Sequence, residues 1–220
     1  MASVRRLMVK ETKVVVLAAS KGGAGKTTLA AALAVRACKE SEAVALIDLD
    51  PQQSLARWWE LRGAGRHPEL ISDVQVPGAG VETARGKGCD WVFIDTPPGF
   101  LSTIEPAIGV ANLVLIPVRA SALDVEAVAP VVELCRAQNV PFAFVINHAE
   151  PRWRLTESAA SFLGKYGKVL DEWVSYRKSY ITGMTLGQSG PEVENDGKCA
   201  AEIDALWRAV KRLVRARVGA

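Results

Sequence analysis

The sequence predicts one α/β domain with a doubly wound, mostly parallel sheet flanked by helices. Three observations support this fold class: short apolar runs alternate with helical patterns, polar residues follow the ends of those runs, and a glycine-rich loop separates the first run from the first helix. Runs that are apolar at every position are typical of parallel strands covered by helices on both faces. A chain of 220 residues fits one such domain.

Strands and helices are expected in alternating order along the chain. The predicted strands are 14–19, 43–47, 91–94, 113–118 and 142–146, and the clearest predicted helices are 26–39, 124–138 and 155–166. A single domain is predicted to occupy 1–220. Its first 12 residues are expected to form a flexible N-terminal extension.

Composition excludes several classes of protein. The four cysteines are widely scattered without a Cys-x-x-Cys pair, which argues against a disulfide framework and an iron–sulfur site. There is no apolar run of membrane-spanning length and no apolar stretch typical of a signal peptide, so a cytoplasmic location is predicted. Net charge is −1 over 1–151 and +4 over 152–220. This basic C-terminal third fits either a polyanionic partner or an ordinary solvated surface.

The loop after the first predicted strand has the composition of a phosphate-binding loop. Its glycines let backbone N–H groups point at phosphate oxygens, and the start of the next helix adds a favourable dipole. Lys26 is predicted to reach the β- and γ-phosphates, and the Thr27 hydroxyl to bind Mg²⁺. The predicted phosphate-binding residues are Lys21, Gly22, Gly23, Ala24, Gly25, Lys26, Thr27 and Thr28.

Two features of this loop differ from the standard P-loop pattern. Ser20 stands where that pattern has glycine, and a second lysine, Lys21, lies near the start of the loop. Lys26 is already predicted to bind the phosphates of the nucleotide in its own subunit. A second lysine in the loop is explained if Lys21 binds the nucleotide of a partner subunit. A glycine-rich turn without a ligand is the alternative interpretation.

These motifs resemble those of the ParA/MinD superfamily. The run KGGAGKTT resembles its deviant Walker A motif, and IDLDPQQS, WVFIDTPPG and IPVRASALD resemble its companion motifs, in the expected order over 14–124. The resemblance implies a Mg²⁺-dependent ATPase that forms a homodimer on ATP. It also implies that Lys21 crosses the dimer to the phosphates of the partner.

The resemblance assigns roles to two aspartates that follow predicted strands. Asp50 corresponds to the residue that orients the attacking water, and Asp95 to the residue that holds Mg²⁺ directly or through water, together with Thr27. The expected catalytic residues are therefore Lys21, Lys26 and Asp50. This division agrees with phosphoryl transfer, in which the protein mainly positions groups and neutralises charge.

Other strand-end and helical residues leave alternatives open. Asp48 is interpreted as a carboxylate that stabilises the turn. Asn147 corresponds to an adenine-contacting asparagine of the family, or is an ordinary turn residue. Four apolar residues at helical spacing fit core packing better than a partner surface: Leu55, Trp58, Trp59 and Leu61. The apolar stripe of 203–218 fits packing on the sheet, with a membrane-surface helix as the alternative.

Small ParA proteins bind DNA non-specifically as ATP dimers, and such binding is electrostatic. The segment VSYRKSYITG resembles a stretch that carries a DNA-contacting arginine, so Arg177 is the first candidate, although a solvated arginine is equally open. The preferred candidates are Arg177, Lys178, Arg152, Arg154, Arg212 and Arg215. Further candidates are Lys165, Lys168, Arg208, Lys211 and Arg217.

The resemblance implies a partition protein for a plasmid or chromosome. It would associate with the nucleoid and hydrolyse ATP when a centromere-binding or cargo adaptor protein stimulates it. Only about a dozen residues precede the first strand, so no operator-binding domain is expected. Three alternatives remain: a positioning ATPase for a protein cargo, a MinD-like membrane-associated regulator, and a metabolic enzyme that transfers phosphate to a small molecule.

Overall fold

The computed structural model describes residues 11–40, 42–63, 67–99, 101–150, 154–194 and 197–218. Its strands are β1 (Lys13–Leu17), β2 (Val44–Asp48), β3 (Glu69–Ile71), β4 (Trp91–Asp95), β5 (Leu113–Arg119), β6 (Phe142–Ala149), β7 (Lys168–Val169) and β8 (Val174–Ser175). Its helices are α1 (Lys26–Cys38), α2 (Ser54–Arg62), α3 (Pro77–Gly86), α4 (Leu101–Gly109), α5 (Ala122–Glu126), α6 (Ala129–Ala137), α7 (Arg154–Leu163), α8 (Lys178–Leu186), α9 (Gly190–Val193) and α10 (Lys198–Val218).

The strands form one sheet in the order β3-β2-β4-β1-β5-β6-β7, and β8 also pairs with β6. Every described strand pair is parallel. The predicted fold class is therefore confirmed.

Helices cover both faces of the sheet, which explains why the central strand β1 is apolar at every position from 14 to 17. Val14 and Val16 pack into the core on the face of α3, α4, α6 and α7. Val15 and Leu17 pack into the core on the face of α1, α2, α8 and α10. Successive side chains of a strand point to opposite faces, so both sets must be apolar when both faces are buried.

The last helix packs on the sheet, as predicted. Leu206, Trp207 and Val210 are completely buried, and the Trp207 ring meets Trp91 of β4 in a T-shaped pair with centroids 4.6 Å apart. Its apolar stripe is thus used inside the domain. Leu55 and Trp58 of α2 are buried in the same way, which confirms their core assignment, and Trp59 is partly buried against the same core. Leu61 is 59% exposed on the outer side of α2, so the core assignment is wrong for that residue.

Several predicted boundaries differ from the structure. The helix predicted at 124–138 is two helices, α5 and α6; Pro130 lies in the first turn of α6, where its missing N–H costs nothing. β1 ends at Leu17 rather than at residue 19, and β6 continues to Ala149, so Asn147 lies within a strand. The expectation for 1–12 falls almost entirely outside the described residues. No described helix is long and apolar enough to span a bilayer.

Candidate nucleotide site at the carboxyl edge of the sheet

The carboxyl ends of β1, β2 and β4 bring the predicted polar residues together. Leu17 is level with Asp95 in the sheet, and Asp95 is level with Asp48. The Thr96 hydroxyl donates to the Leu17 carbonyl oxygen at 2.9 Å, which ties the end of β4 to the end of β1. Ligands of parallel sheets bind beyond this edge, so the residues lie where the fold places a binding site.

The loop between β1 and α1 depends on glycines and on one asparagine from β6. Gly23 and Gly25 have φ values of 74° and 93°, in the left-handed region that favours glycine. A Cβ on Gly25 would come within 2.0 Å of Asn147 Nδ2. That amide nitrogen donates to the Ala24 carbonyl oxygen at 2.7 Å. Asn147 therefore holds the loop from across the sheet, and Gly25 leaves room for it.

Lys26 begins α1 and is buried beneath the loop. Burial lowers the pKa of its ammonium group, while the carboxylates of Asp95 and Asp50 oppose that shift. In the described part of the chain, Lys26 forms no ion pair. A buried cation without a close counter-ion favours an anion in the loop, which is what a phosphate would supply.

Thr27 and Asp95 form a contact that suits a hard cation. The Thr27 hydroxyl donates to Asp95 Oδ2 at 2.5 Å, and Asp95 is completely buried. Burial raises the pKa of the Asp95 carboxyl to about 7, although the hydrogen bond from Thr27 opposes the shift. Its other oxygen, Oδ1, is buried without a described hydrogen-bond partner. Because Mg²⁺ prefers oxygen ligands, this hydroxyl and the unpartnered carboxylate oxygen fit that ion.

The two aspartates at the carboxyl end of β2 have different surroundings. Asp48 accepts hydrogen bonds from the backbone N–H groups of Asp50, Leu55 and Ala56, each at 3.0 Å. It thus holds the loop and the first turn of α2, which confirms its assignment to the turn. Asp50 is partly exposed and accepts one described bond, from the Gln52 N–H at 2.9 Å. Its carboxylate therefore remains available to a ligand.

Lys21 lies near the ion pair of Arg119 and Asp124, which was not predicted from the sequence. Arg119, at the end of β5, pairs with Asp124 at 2.9 Å and lies close to Gly23 of the phosphate loop. Burial alone would raise the pKa of the Asp124 carboxyl. The contacts with Arg119 and Ser121 and the charge of Lys21 outweigh burial, so that the pKa lies below its usual value. In the described residues Lys21 itself forms no ion pair within 4 Å. The sequence signal that could have identified Arg119 as a site residue is its position at the end of a predicted strand.

A cavity of about 420 Å³ opens beside α1, next to the phosphate loop. This volume is within the range of small-molecule sites. Thr28 of α1 and Asn147 lie on the side of the loop, and the other wall comes from residues near β8 and from α8. Those residues include His148, Tyr176, Tyr180, Ile181 and Met184.

The predicted DNA-binding residues do not form a single surface. Arg152 lies outside the described residues. Arg154 and Lys178 are exposed and begin α7 and α8, whereas Arg212 and Arg215 are exposed near the end of α10. Arg212 has its guanidinium 3.5 Å from Glu172 but keeps 63% of its side chain exposed.

Arg177, the first candidate for DNA, is held by two carboxylates. Its guanidinium donates to Glu202 at 2.7 Å and lies 3.7 Å from Glu194, with 21% of the side chain exposed. It also lines the cavity beside α1. A DNA contact through Arg177 stays a prediction, and it would require these bonds to be loosened.

Fold and site together define a P-loop nucleotide-binding protein. Residues 15–213 match the family described as the CobQ/CobB/MinD/ParA nucleotide binding domain. The chain belongs to this family.

Relatives of this chain include partition and positioning proteins. Protein ParA of Rhizobium radiobacter is 36% identical over 141 residues, which cover 62% of this chain and 62% of that protein. The match thus spans less than two thirds of that relative. Maintenance of carboxysome distribution protein A of Gloeobacter kilaueensis is 25% identical over 221 residues, with 89% and 96% covered. The structure of septum site-determining protein MinD with Mg-ADP from Pyrococcus horikoshii shares the fold: TM-score 0.72, 17% identity, and 92% and 97% covered.

Proposed function

We propose that this chain is an ATP-dependent dimerisation switch that binds DNA non-specifically and drives the partition of a plasmid or chromosome. The observation that carries the proposal is the contrast between two lysines on one loop. Lys26 is buried beneath the loop, whereas Lys21 is partly exposed at its start and has no described ion pair. Lys21 is therefore available to the nucleotide of a second subunit that faces the same edge of the sheet.

The residues of the site divide the work of hydrolysis. Lys26 neutralises charge on the β- and γ-phosphates, while Thr27 and Asp95 would hold Mg²⁺. Bound there, the ion supplies charge neutralisation for the transferred phosphoryl group. Asp50 orients the attacking water from the loop that Asp48 keeps in place. Dimerisation and ATP binding reinforce each other, because each stabilises the state that the other prefers.

Asn147 favours adenine over guanine in the cavity. Its amide nitrogen donates one of its two hydrogens to the Ala24 carbonyl oxygen, and we infer that the side-chain oxygen faces the ligand. A carbonyl oxygen accepts hydrogen bonds only. It therefore suits the exocyclic amino group of adenine and repels the carbonyl oxygen that guanine has at the same position.

DNA is proposed to contact the end of α10 rather than the nucleotide edge. Arg136 and Lys168 line a groove of about 740 Å³ together with Leu213 and Ala216. Those two residues of α10 directly follow Arg212 and Arg215 in the sequence. The groove lies at the start of β6, away from the carboxyl edge that a second subunit would cover. These cations can neutralise phosphates without interrupting dimer formation.

The proposal is tested by binding to non-specific duplex DNA without nucleotide, with ADP, with ATP and with a slowly hydrolysed ATP analogue. Binding is expected only with ATP or the analogue. It should fall by roughly two orders of magnitude between about 50 and about 200 mM salt, as counterion release predicts for a few phosphate contacts. Equal binding in every nucleotide state, or none in any state, would contradict the proposal.

A matched pair of double variants locates the DNA surface. Arg212→Glu/Arg215→Glu should abolish ATP-dependent DNA binding, whereas Arg154→Glu/Lys178→Glu, with the same change of charge at the other edge, should weaken it less. The reverse order would assign DNA to the nucleotide edge. ATP binding by each variant serves as the control for folding.

Positioning of a protein cargo is the second candidate. The alignment with the carboxysome distribution protein covers nearly all of both chains, which favours a shared architecture over that length. The same nucleotide switch serves either cargo, so the adaptor decides between them. A MinD-like membrane role is less well supported, because the apolar face of α10 is buried against the sheet.

A further inference from the structure

His148 is an inserted residue that the backbone turns toward the nucleotide cavity. In the pairing of β6 with β8, Asn147 opposes Val174 and Ala149 opposes Ser175, so His148 is the extra residue of a β-bulge. Its φ of 53° is in the left-handed region, which histidine tolerates better than most residues. Bulges of this kind re-aim a side chain and are common beside active sites.

The imidazole ring of His148 pairs with the ring of Tyr176. The two centroids are 5.4 Å apart in a T-shaped arrangement, and both residues line the cavity beside α1. The Tyr176 N–H donates to the Ala149 carbonyl oxygen at 3.2 Å, which fixes Tyr176 next to the bulge. Tyr176 is 56% exposed, a large fraction for an aromatic ring beside a pocket.

The charge state of His148 suits a neutral aromatic ligand. Burial lowers the pKa of its imidazole, and the nearby Arg119 cation lowers it further, against the opposing effect of Asp124. The ring is therefore neutral at neutral pH. A neutral ring offers a flat apolar surface together with one donor and one acceptor.

The position of the ring pair relative to the phosphate loop indicates which part of a ligand it meets. Thr28, which follows the predicted Mg²⁺ residue on α1, lines the same cavity as His148 and Tyr176. Asn147, which holds the loop, is the residue before His148. A nucleotide with its phosphates in the loop would thus extend its base into this cavity.

We propose that the nucleobase packs against the rings of His148 and Tyr176, face-on to one and edge-on to the other because the two rings are nearly perpendicular. His148 and Tyr176 then set nucleotide affinity irrespective of base identity. This inference rests on the proposed nucleotide binding and adds a residue-level role to it. Stacking on an aromatic ring tolerates any base, because every base has a π-face. Asn147 would then select the base, while His148 and Tyr176 would supply base-independent affinity.

The test compares ligands with and without a base by isothermal titration calorimetry. His148→Asn removes the ring but keeps a residue that tolerates the left-handed backbone. We expect this variant to bind ATP and GTP more weakly than the wild type, by the same factor of roughly fivefold or more, as loss of one stacking contact predicts. Binding of inorganic tripolyphosphate with Mg²⁺, which has no base, should not change. Tyr176→Ser should act in the same direction, and Tyr176→Phe, which keeps the ring, should bind as the wild type does.

Each other outcome overturns the inference in a recognisable way. Wild-type affinity for ATP in both His148→Asn and Tyr176→Ser would show that the rings do not contact the base. An equal loss of tripolyphosphate binding would show that the bulge only supports the loop through Asn147. Absence of nucleotide binding by the wild type would instead overturn the proposed function itself. Because Tyr176 is largely exposed, Tyr176→Ser keeps the test usable if His148→Asn fails to fold.

Discussion

Two neighbouring regions of this molecule differ in whether their buried charged side chains have ion-pair or hydrogen-bond partners. In the phosphate region, Lys26 is buried without a described ion pair, and Asp95 has a buried oxygen without a described partner. Around the C-terminal region of α8, α9 and α10, by contrast, the buried Arg62 of α2 and the partly buried Arg177 are both paired. Arg62 forms a two-bond ion pair with Glu192 at 2.9 Å, and Arg177 pairs with Glu202.

The pKa values follow the same division. Burial raises the pKa of Asp95 to about 7, because the hydrogen bond from Thr27 does not compensate for lost hydration. Burial alone would also raise the pKa of Glu192. The hydrogen bonds from Arg62 and Ser189 outweigh burial and lower that pKa to about 2. Unsatisfied charges mark where a ligand binds, whereas satisfied charges hold the framework together.

The largest expected effect comes from breaking the paired region. Arg62 donates to Glu192 and also to the carbonyl oxygens of His67 and Gly187, so it connects α2 with the segment before α9. We expect Arg62→Met to lower the free energy of unfolding by about 3 kcal/mol, because it leaves Glu192 without its partner. Urea denaturation measures this loss.

The matched control is Arg62→Met/Glu192→Met. Removing both charges should recover most of the stability, since no unpaired charge then remains. If the double variant is no more stable than Arg62→Met, the cost comes from the lost carbonyl contacts rather than from the unpaired carboxylate.

In the phosphate region, Asp50→Ala should change catalysis and leave stability alone. The rate of ATP hydrolysis is expected to fall about 100-fold, in line with loss of one group that acts at the transition state. Affinity for ATP should stay close to that of the wild type, because Asp50 does not contact the phosphate loop through any described bond. Asp48→Asn is the contrasting variant: it weakens the acceptor for three backbone N–H groups and should lower stability. Full hydrolysis by Asp50→Ala would remove Asp50 from the mechanism.

A smaller effect concerns the pH dependence of the nucleotide-free protein. An aspartate titrates near pH 3.9 in an unfolded chain, whereas Asp95 has a pKa of about 7 in the fold. Between these values the folded protein holds a proton that the unfolded chain has released. Stability should therefore decrease as the pH rises from about 4 to about 7, by about 1.4 kcal/mol per pH unit at most from this group.

Asp95→Asn isolates that contribution, because an amide does not titrate. Urea denaturation at about pH 5 and about pH 7 should give a smaller decrease for the variant than for the wild type. Equal decreases for both proteins would show that Asp95 is ionised in the fold.

The phosphate region could be predicted from the sequence because its residues lie in short contiguous motifs. Lys26 and Thr27 follow one strand, and Asp95 ends another strand of the same sheet. Parallel strands bring their carboxyl ends to one edge, so proximity of these residues follows from the fold class alone. The structural role of Asp48 also follows from its position at the end of β2.

The C-terminal region could not be predicted in the same way because its contacts join distant parts of the chain. Arg62 and Glu192 are 130 residues apart, and no local pattern pairs them. The bulge at His148 depends on pairing with β8, a strand of two residues without a sequence signature. Arg177 was assigned to DNA from its neighbours in sequence, whereas its carboxylate partner lies 25 residues away.

The oligomeric state of Lys21→Ala tests the proposed switch most directly. Analytical ultracentrifugation of the wild type and of this variant would be carried out with ADP and with a slowly hydrolysed ATP analogue, after ATP affinity is measured for both. We expect the wild type to be monomeric with ADP and dimeric with the analogue, and Lys21→Ala to bind ATP but remain monomeric in both. A dimer of Lys21→Ala with the analogue would contradict the role of Lys21 across the subunits, and with it the switch.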